Sequence, residues 1–247
     1  FKTNNCFFVG DSAHQMPPFL GQGLCQGIKD VYNLHWKLDG VLKGKYADKV
    51  LDTYSDERIS IVKSVTETAI KHGGVIGTQN KYVALIRDTL LTVARIFPKL
   101  LSFFDFYHPW QIDNGLIDKT LYPNKANGIV IPQPSLELKV NNKPFDQYIG
   151  YNFALIVFNQ TEILFNNIKA LESSKIFKNN IYSIDKDNPF NEDSNFIKWR
   201  KDNNISAVII RQDRHVYGCC DDESMIAKVD QLDKKLISEL TWTKYLN

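Results

Sequence analysis

The chain has 247 residues, 43% hydrophobic and 12% aromatic, so it can bury the core of one large domain or two small ones and is not a disordered tail. With 30 basic and 28 acidic residues, no segment is basic enough to bind nucleic acid, and no apolar run reaches the roughly 18 residues of a membrane helix. No signal peptide opens the sequence and four cysteines do not make a disulfide scaffold, so we expect a cytoplasmic protein without a membrane segment.

The chain begins with a short apolar run, Cys6 to Val9, that ends at Gly10-Asp11. This pattern predicts a buried strand that runs into a turn. Residues 12–22 are predicted to form a loop, which two adjacent prolines stiffen and a glycine makes permissive.

Three helices are predicted next. The first runs from Gly23 to about Leu42, and the second from an N-cap at Asp48 to about His72, where Gly73-Gly74 ends it. The third covers roughly Asn80 to Phe104. The apolar face expected for the first helix consists of Leu24, Ile28, Val31, Leu34, Leu38 and Leu42. The buried stripe expected for the third consists of Val83, Ile86, Leu90, Ala94, Phe97, Leu101 and Phe104.

Residues 105–145 change character, because prolines and glycines punctuate them, and they predict a long irregular connection at a domain boundary. After Gly150 the pattern alternates between strand and helix in the order β-α-β-α-β-β-α, which is that of a thioredoxin-like α/β domain. The predicted elements are strands at 153–158, 181–184, 205–211 and 215–219, and helices at 162–171 and 195–201 and after Asp221-Asp222. We place the domains at 1–126 and 127–247.

The chemistry of the chain is expected in its first forty residues. A strand delivers the Asp11 carboxylate into a turn, a Pro/Gly loop follows, and a helix then begins with unpaired N–H groups at the positive end of its dipole. Such an arrangement can hold a polyhydroxyl chain and an electron-rich carbonyl. The constellation comprises Gly10-Asp11-Ser12-Ala13-His14, Pro17-Pro18, Gly21-Gln22-Gly23, Gly27, Asp30, Asn33-Leu34 and Trp36-Lys37-Leu38.

This constellation resembles the second flavin-binding motif of the FAD-dependent aromatic hydroxylases, the class A flavoprotein monooxygenases. The form Pro-Pro-Phe-Leu-Gly-Gln-Gly looks most like the branch that hydroxylates 3-(3-hydroxyphenyl)propionate and related phenols. Asp52-Thr53-Tyr54 with Glu57-Arg58 resembles the helix that follows the motif in this family, and Pro132-Gln133-Pro134 with Gly150 resembles the entry to the branch's thioredoxin-like domain. The resemblance implies an α/β fold: the C-terminal part of a p-hydroxybenzoate-hydroxylase-like FAD-binding domain with long helices, then a thioredoxin-like domain.

The resemblance also implies roles for individual residues. Asp11 would bind the ribityl hydroxyls of FAD, and Pro17-Pro18 would border the isoalloxazine face where oxygen and a small aromatic substrate meet. Backbone groups of Gly23, Leu24 and Cys25 would contact the flavin pyrimidine ring, and the helix N-terminus would stabilise its negative charge. Gly10 and Gly21 complete the predicted cofactor-binding set. NADH or NADPH would reduce the flavin, O2 would be consumed, and a phenol would be hydroxylated.

Two departures from the family pattern bear on activity. Cys25 stands where many relatives have Asn, and no G-x-G-x-x-G follows a strand anywhere in the chain. Since the chain also starts at Phe1 rather than Met, we expect a C-terminal fragment that is not a competent hydroxylase alone. Two other hypotheses stay open, namely an FAD-dependent epoxidase or ring-modifying oxygenase, and a non-catalytic assembly module.

The remaining polar groups are interpreted as structural. His14 is expected to orient the loop by hydrogen bonding rather than to act as a general base, and the scattered histidines predict no metal site. Cys219-Cys220 are adjacent and not C-x-x-C, so the second domain is predicted to be a packing or dimerisation module, with a homodimer as its expected assembly. Arg211 to Arg214 are expected to form a hairpin tip in solvent.

Overall fold

A computed structural model describes residues 1–96, 111–158, 176, 180–221 and 225–241 of the chain. The predicted helix at 162–171, the end of the third helix and the cap at Asp222 lie outside these residues. The described chain divides into two compact units, which are taken one at a time: residues 1–31 with 58–110, and residues 32–57 with 111–247. The domain boundary expected at 126/127 stays a prediction.

The first unit is built from helices and one small hairpin. Its strands are β1 (Lys2–Thr3) and β2 (Cys6–Phe7), which pair antiparallel. Its helices come from α1 (Gly23–Leu42) and α2 (Thr53–Ile76), each of which also enters the second unit, and from α3 (Lys81–Ile96). The bounds of α1 confirm the prediction for the first helix, and the strand predicted at Cys6–Val9 is shorter than expected and not buried.

Helix α1 buries a polar stripe and exposes much of its apolar one. The expected apolar face is wrong for four of its six residues, which are between 53% and 82% exposed: Leu24, Ile28, Val31 and Leu42. The buried stripe, spaced by four, three and four residues, consists instead of Gln26, Asp30, Asn33 and Lys37. Apolar periodicity marks an amphipathic helix but does not reveal that charged partners elsewhere in the chain stabilise its polar side.

Helix α2 continues through the two glycines that were expected to end it. A Cβ atom on Gly73 would lie 2.1 Å from the ring of Phe19, so this glycine provides room for an aromatic ring rather than a helix stop. The buried stripe expected for α3 is also wrong where its side chains are described, since Val83, Ile86 and Leu90 are at least half exposed.

The second unit contains a four-stranded mixed sheet. Its strands are β3 (Ala154–Phe158), β4 (Ile181–Ile184), β5 (Ala207–Ile210) and β6 (Val216–Cys220), in the order β4-β3-β5-β6. β3 pairs parallel with β4 and antiparallel with β5, and β5 pairs antiparallel with β6. Its helices are α4 (Phe145–Ile149), α5 (Ser194–Asp202) and α6 (Met225–Thr241). The described elements follow the predicted thioredoxin-like order.

Strands β3, β5 and β6 are buried along their whole length, because both faces of the sheet are covered there. Leu155, Val157 and Ile209 belong to one cluster with α6, while Ile156 and Ile210 belong to the cluster on the other side. The alternation follows from the two-residue period of a strand. The irregular segment after residue 110, predicted from its prolines, runs beside β6, where Asp118 N donates to Tyr217 O at 2.7 Å and Gly128 N to Val216 O at 2.8 Å.

The hairpin tip predicted to lie in solvent is buried, and that prediction is wrong. Arg211 has no exposed surface and Asp213 only 3%. Arg211 donates from Nη1 to Glu57 Oε1 at 2.9 Å and from Nη2 to Glu57 Oε2 at 2.7 Å. It also donates to both oxygens of Asp213, at 3.0 and 2.7 Å. The tip is drawn inward because its guanidinium forms two bidentate pairs.

Helix α1 completes this buried cluster. Lys37 Nζ donates to Glu57 Oε2 at 2.8 Å, and Asn33 Nδ2 donates to Glu57 at 2.7 Å and to Asp213 at 2.9 Å. Leu116 N donates to Glu57 Oε1 at 2.8 Å. Two carboxylates therefore balance two cations. Both side-chain oxygens of Glu57 accept hydrogen bonds, which is the condition for burying an ion pair without a large energetic penalty.

The cluster shifts the pKa values of Glu57 and Lys37. Burial alone would raise the pKa of Glu57, but the charges of Arg211 and Lys37 outweigh it and lower that pKa to about 2. Burial also lowers the pKa of Lys37 to about 8, against the opposing effect of Glu57. Each charge is thus maintained by its neighbours.

Glu57→Gln should destabilise the chain strongly. The variant keeps the shape of the side chain but leaves Arg211 and Lys37 with one counterion, so the free energy of unfolding should fall by about 3–5 kcal/mol. Urea denaturation measures it. Asp202→Asn, which breaks the exposed pair with Lys198, is the matched control and should change little. Equal effects of the two substitutions would contradict this role for Glu57.

The same carboxylate predicts a pH dependence. Because the pKa of Glu57 is lowered from 4.5 to about 2 on folding, its contribution is complete above about pH 4.5 and is lost as the pH falls toward 2. The difference in unfolding free energy between wild type and Glu57→Gln should therefore shrink across this window. A difference that stays constant from pH 6 to pH 2.5 would show that the charge of Glu57 is not responsible.

Candidate functional site

The loop before α1 and the start of this helix line an open surface depression of about 510 Å³. Six of the eight predicted site residues line it, and Gly10 and Cys25 are each the immediate neighbour of one of these six. The lining consists of Asp11, Gln15, Met16, Pro17, Pro18, Gly21, Gln22, Gly23 and Leu24. The fold thus brings the sequence motif together in one surface depression of the first unit.

Asp11 lies exposed in a single turn of 3-10 helix, Gly10–Ser12. Ala13 N donates to Gly10 O at 2.8 Å, and Ser12 Oγ donates to Val9 O at 2.8 Å, so the turn is closed by its own hydrogen bonds. Gly10 has a φ of +56°, a conformation that side chains with a Cβ rarely adopt. The turn therefore leaves the Asp11 carboxylate available at the depression.

Helix α1 approaches this turn closely because the helix and the turn each have a glycine at the contact. A Cβ atom on Gly27 would lie 3.2 Å from the Cα atom of Gly10. On the other side of the depression, Pro18–Leu20 form a second 3-10 turn, which Gly21 ends with a φ of +60°. Prolines and glycines thus set the shape of the loop, as the sequence predicts.

The first turn of α1 presents N–H groups to the depression. Gln26 N donates to Gln22 O at 2.9 Å, which leaves the N–H groups of Gly23, Leu24 and Cys25 without a helical acceptor. The first turn has no acidic residue, and a Cβ atom on Gly23 would meet no atom of the described residues within 4 Å. A polar, electron-rich group can therefore approach this backbone and meet the positive end of the helix dipole.

A buried carboxylate ties the turn to the helix. Asp30 Oδ2 accepts from Gly10 N at 2.9 Å and lies 2.7 Å from His14 Nε2. Asp30 Oδ1 accepts from Arg58 Nε at 2.6 Å, and Arg58 Nη2 donates to Gln26 Oε1 at 2.8 Å. The contact agrees with the expectation that His14 orients the loop.

Sequence reasoning did not assign roles to Arg58 and Gln26. The spacing of polar residues along α1 would have indicated them, because Gln26 and Asp30 are one helical turn apart and lie on the same, buried face of the helix. A buried polar face on a helix calls for a buried partner of opposite charge, and Arg58 is that partner.

Other reactive groups of the described residues do not form a second centre. All four cysteines are free, and burial raises the pKa of the Cys219 thiol, which makes a poor nucleophile of it. Within the residues that the structure describes, no cluster of His, Cys, Asp and Glu has the arrangement of a metal site. Across the same residues, no helix combines the length and apolar character needed to cross a membrane.

Gly27→Ala should disturb the site loop although alanine favours helices. Its Cβ would press on the backbone of Gly10, and overpacking of this kind costs about 1–3 kcal/mol of unfolding free energy. Gly74→Ala, in α2, is the matched control, because the new Cβ would meet no atom within 4 Å in the part of the chain that the structure describes, and it should stabilise by up to about 1 kcal/mol. Thermal unfolding distinguishes the two, and stabilisation by both would contradict the close contact.

Known proteins resemble the chain in sequence. Residues 1–69 match the family model of the FAD binding domain. A 3-(3-hydroxy-phenyl)propionate/3-hydroxycinnamic acid hydroxylase of Mycobacterium sp. (strain JLS) is 31% identical over 183 residues, 72% of this chain and 31% of the relative. A probable NADH-specific resorcinol 4-hydroxylase of Rhodococcus jostii (strain RHA1) is 31% identical over 244 residues, 92% of this chain and 42% of the relative. The chain thus spans less than half of either relative.

Solved structures share the fold. RebC-10x with bound 7-carboxy-K252c superposes with a TM-score of 0.65 at 20% identity, over 97% of this chain and 46% of its own. The flavin-dependent monooxygenase PieE, in complex with FAD and substrate, gives 0.63 at 18% identity, over 94% and 47%. These likenesses confirm the predicted fold class, and the match of residues 1–69 agrees with FAD as the predicted cofactor. The chain is therefore similar, over nearly its whole length, to the FAD-dependent aromatic hydroxylases, and it corresponds to part of their length.

Proposed function

We propose that this chain is part of a flavin-dependent monooxygenase that hydroxylates a phenolic compound with FAD, NADH and O2. The observation that carries the proposal is one depression lined by both the exposed carboxylate of Asp11 and the N-terminus of α1, whose first turn has no acidic residue. A carboxylate accepts hydrogen bonds from hydroxyl groups, and a helix N-terminus attracts an electron-rich carbonyl. FAD carries both groups, on its ribityl chain and its pyrimidine ring.

Each predicted residue then has a role in holding the cofactor. Asp11 accepts hydrogen bonds from the ribityl hydroxyls. The N–H groups of Gly23, Leu24 and Cys25 contact the pyrimidine ring. Since these contacts use backbone atoms of Cys25, the cysteine at this position is no obstacle. Gly10 and Gly21, both at positive φ, let the backbone come close to the flavin.

The protein's contribution to the reaction is electrostatic and steric. When bound, FAD supplies the redox chemistry between the nicotinamide, O2 and the substrate. The positive end of α1 stabilises negative charge on the pyrimidine ring without rearrangement, because its dipoles are already oriented. Pro17 and Pro18 form a stiff wall at the depression, beside the face where the phenol is oxidised.

The names of the relatives narrow the substrate class. 3-(3-Hydroxyphenyl)propionate, 3-hydroxycinnamic acid and resorcinol all carry a hydroxyl group meta to a second substituent. We therefore propose a meta-substituted phenol as substrate, and the NADH specificity in the name of the Rhodococcus relative favours NADH over NADPH. The cytoplasmic location and the homodimer stay predictions.

Asp11→Asn should weaken FAD binding about 10- to 100-fold, because hydrogen bonds to a charged acceptor contribute about 1.5–3 kcal/mol. The measurement is a fluorescence titration of the longer protein, stripped of flavin, with FAD. Glu67→Gln removes one exposed carboxylate from α2 of the same unit and should leave the affinity unchanged. If Asp11→Asn binds FAD as tightly as wild type, Asp11 does not hold the ribityl chain.

The activity itself is tested with the longer protein, FAD and NADH. Meta-substituted phenols should accelerate NADH oxidation and yield products heavier by one oxygen atom, with a new ring hydroxyl group. A product with an epoxide would instead indicate the epoxidase hypothesis. NADH oxidation that no phenol stimulates, with no hydroxylated product, would contradict the proposed function.

A further inference from the structure

We propose that His14 and Asp30 are positioning residues for FAD binding, which act by fixing the Asp11 turn. The inference rests on the proposed function, because it assigns the work of the two residues to the same flavin contact. It is carried by contacts of the first unit, none of which involves the depression itself.

One oxygen atom secures both ends of the turn. Asp30 Oδ2 accepts from Gly10 N at 2.9 Å, just before Asp11, and contacts His14 Nε2 at 2.7 Å, three residues after it. Because Asp11 lies between two groups that share an acceptor, the turn cannot rotate without breaking one of these bonds. Its exposed carboxylate gains a fixed direction from a residue 19 positions away in the sequence.

Asp30 is itself held in place. It is fully buried, and its second oxygen accepts from Arg58 Nε at 2.6 Å. Arg58 Nη2 donates to Gln26 Oε1 at 2.8 Å and to the Gln26 carbonyl at 3.2 Å, which fixes the guanidinium against α1. The chain of contacts therefore runs from the rigid helices to the loop, in the direction required of a positioning device.

The imidazole of His14 has one polar contact among the described residues. Its side chain is 6% exposed, and its ring stacks on Phe1 with 5.6 Å between the centroids. An ionised carboxylate accepts only, so Nε2 donates to Asp30, and Nδ1 has no partner among the residues that the structure describes. The hydrogen bonding of the ring is thus directed to Asp30 and, through it, to the turn.

A double-mutant cycle on FAD affinity tests this inference. In the longer protein, His14→Leu should raise the Kd for FAD about tenfold in the wild-type background. In the Asp11→Asn background, the same change should raise it by less than about twofold, since the contact that His14 serves is already lost. His14→Gln, which retains an N–H donor, should restore most of the affinity. His35→Leu, at an exposed position of α1, is the control and should have no effect.

The outcomes separate the inference from the proposed function. An equal loss of affinity from His14→Leu in both backgrounds would assign His14 a general structural role and overturn the inference, as would no loss in either. Where His14→Leu lowers the yield of folded protein, His14→Asn, too short to reach Asp30, enters the same cycle with the same expected factors. If wild type does not bind FAD, or Asp11→Asn binds it normally, the proposed function itself has failed.

Discussion

The burial of charge along one stripe of helix α1 is the constraint on which both units depend. Asp30 and Lys37 are fully buried, and neither charge would be tolerated without a partner. Two adjacent residues of α2 supply the partners, Arg58 for Asp30 and Glu57 for Lys37. The dipeptide Glu57-Arg58 therefore supplies a cation for the buried carboxylate of α1 in the first unit and a carboxylate for its buried cation in the second unit.

In each unit, this pairing extends to a segment distant in sequence. Glu57 forms a bidentate pair with Arg211, 154 residues away, which brings the β5-β6 hairpin into the core of the second unit. Asp30 binds both ends of the Asp11 turn in the first unit. The candidate flavin site thus derives its geometry from the same physical requirement that stabilises the fold, the neutralisation of buried charge.

Much of the fold could be predicted from local sequence patterns. Spacing identified α1 with its bounds, and the alternation of apolar runs identified the order of the described strands in the second unit. The loop with Asp11 and Gly23 was predicted because glycines, prolines and a carboxylate restrict the chain locally. Such signals lie within a few residues of the feature they predict.

Two of the sequence-based predictions that the structure contradicts failed for the same physical reason. The helical Gly73 and the buried Arg211 depend on contacts with residues distant in sequence, namely the ring of Phe19 and the carboxylate of Glu57. A charged hairpin tip is predicted to be exposed to solvent unless its ion-pair partner is known. Nothing in the sequence distinguishes Glu57, the partner of Arg211, from the other acidic residues. Contacts between residues distant in sequence therefore decided the structure at these two positions, where the local pattern failed.

The most direct measurement is a crystal structure of the longer protein with FAD bound. We expect an Asp11 carboxylate oxygen within hydrogen-bond distance of a ribityl hydroxyl, with Asp30 still accepting hydrogen bonds from Gly10 and His14. A flavin bound away from the start of α1, or a turn released from Asp30 in the complex, would contradict this expectation.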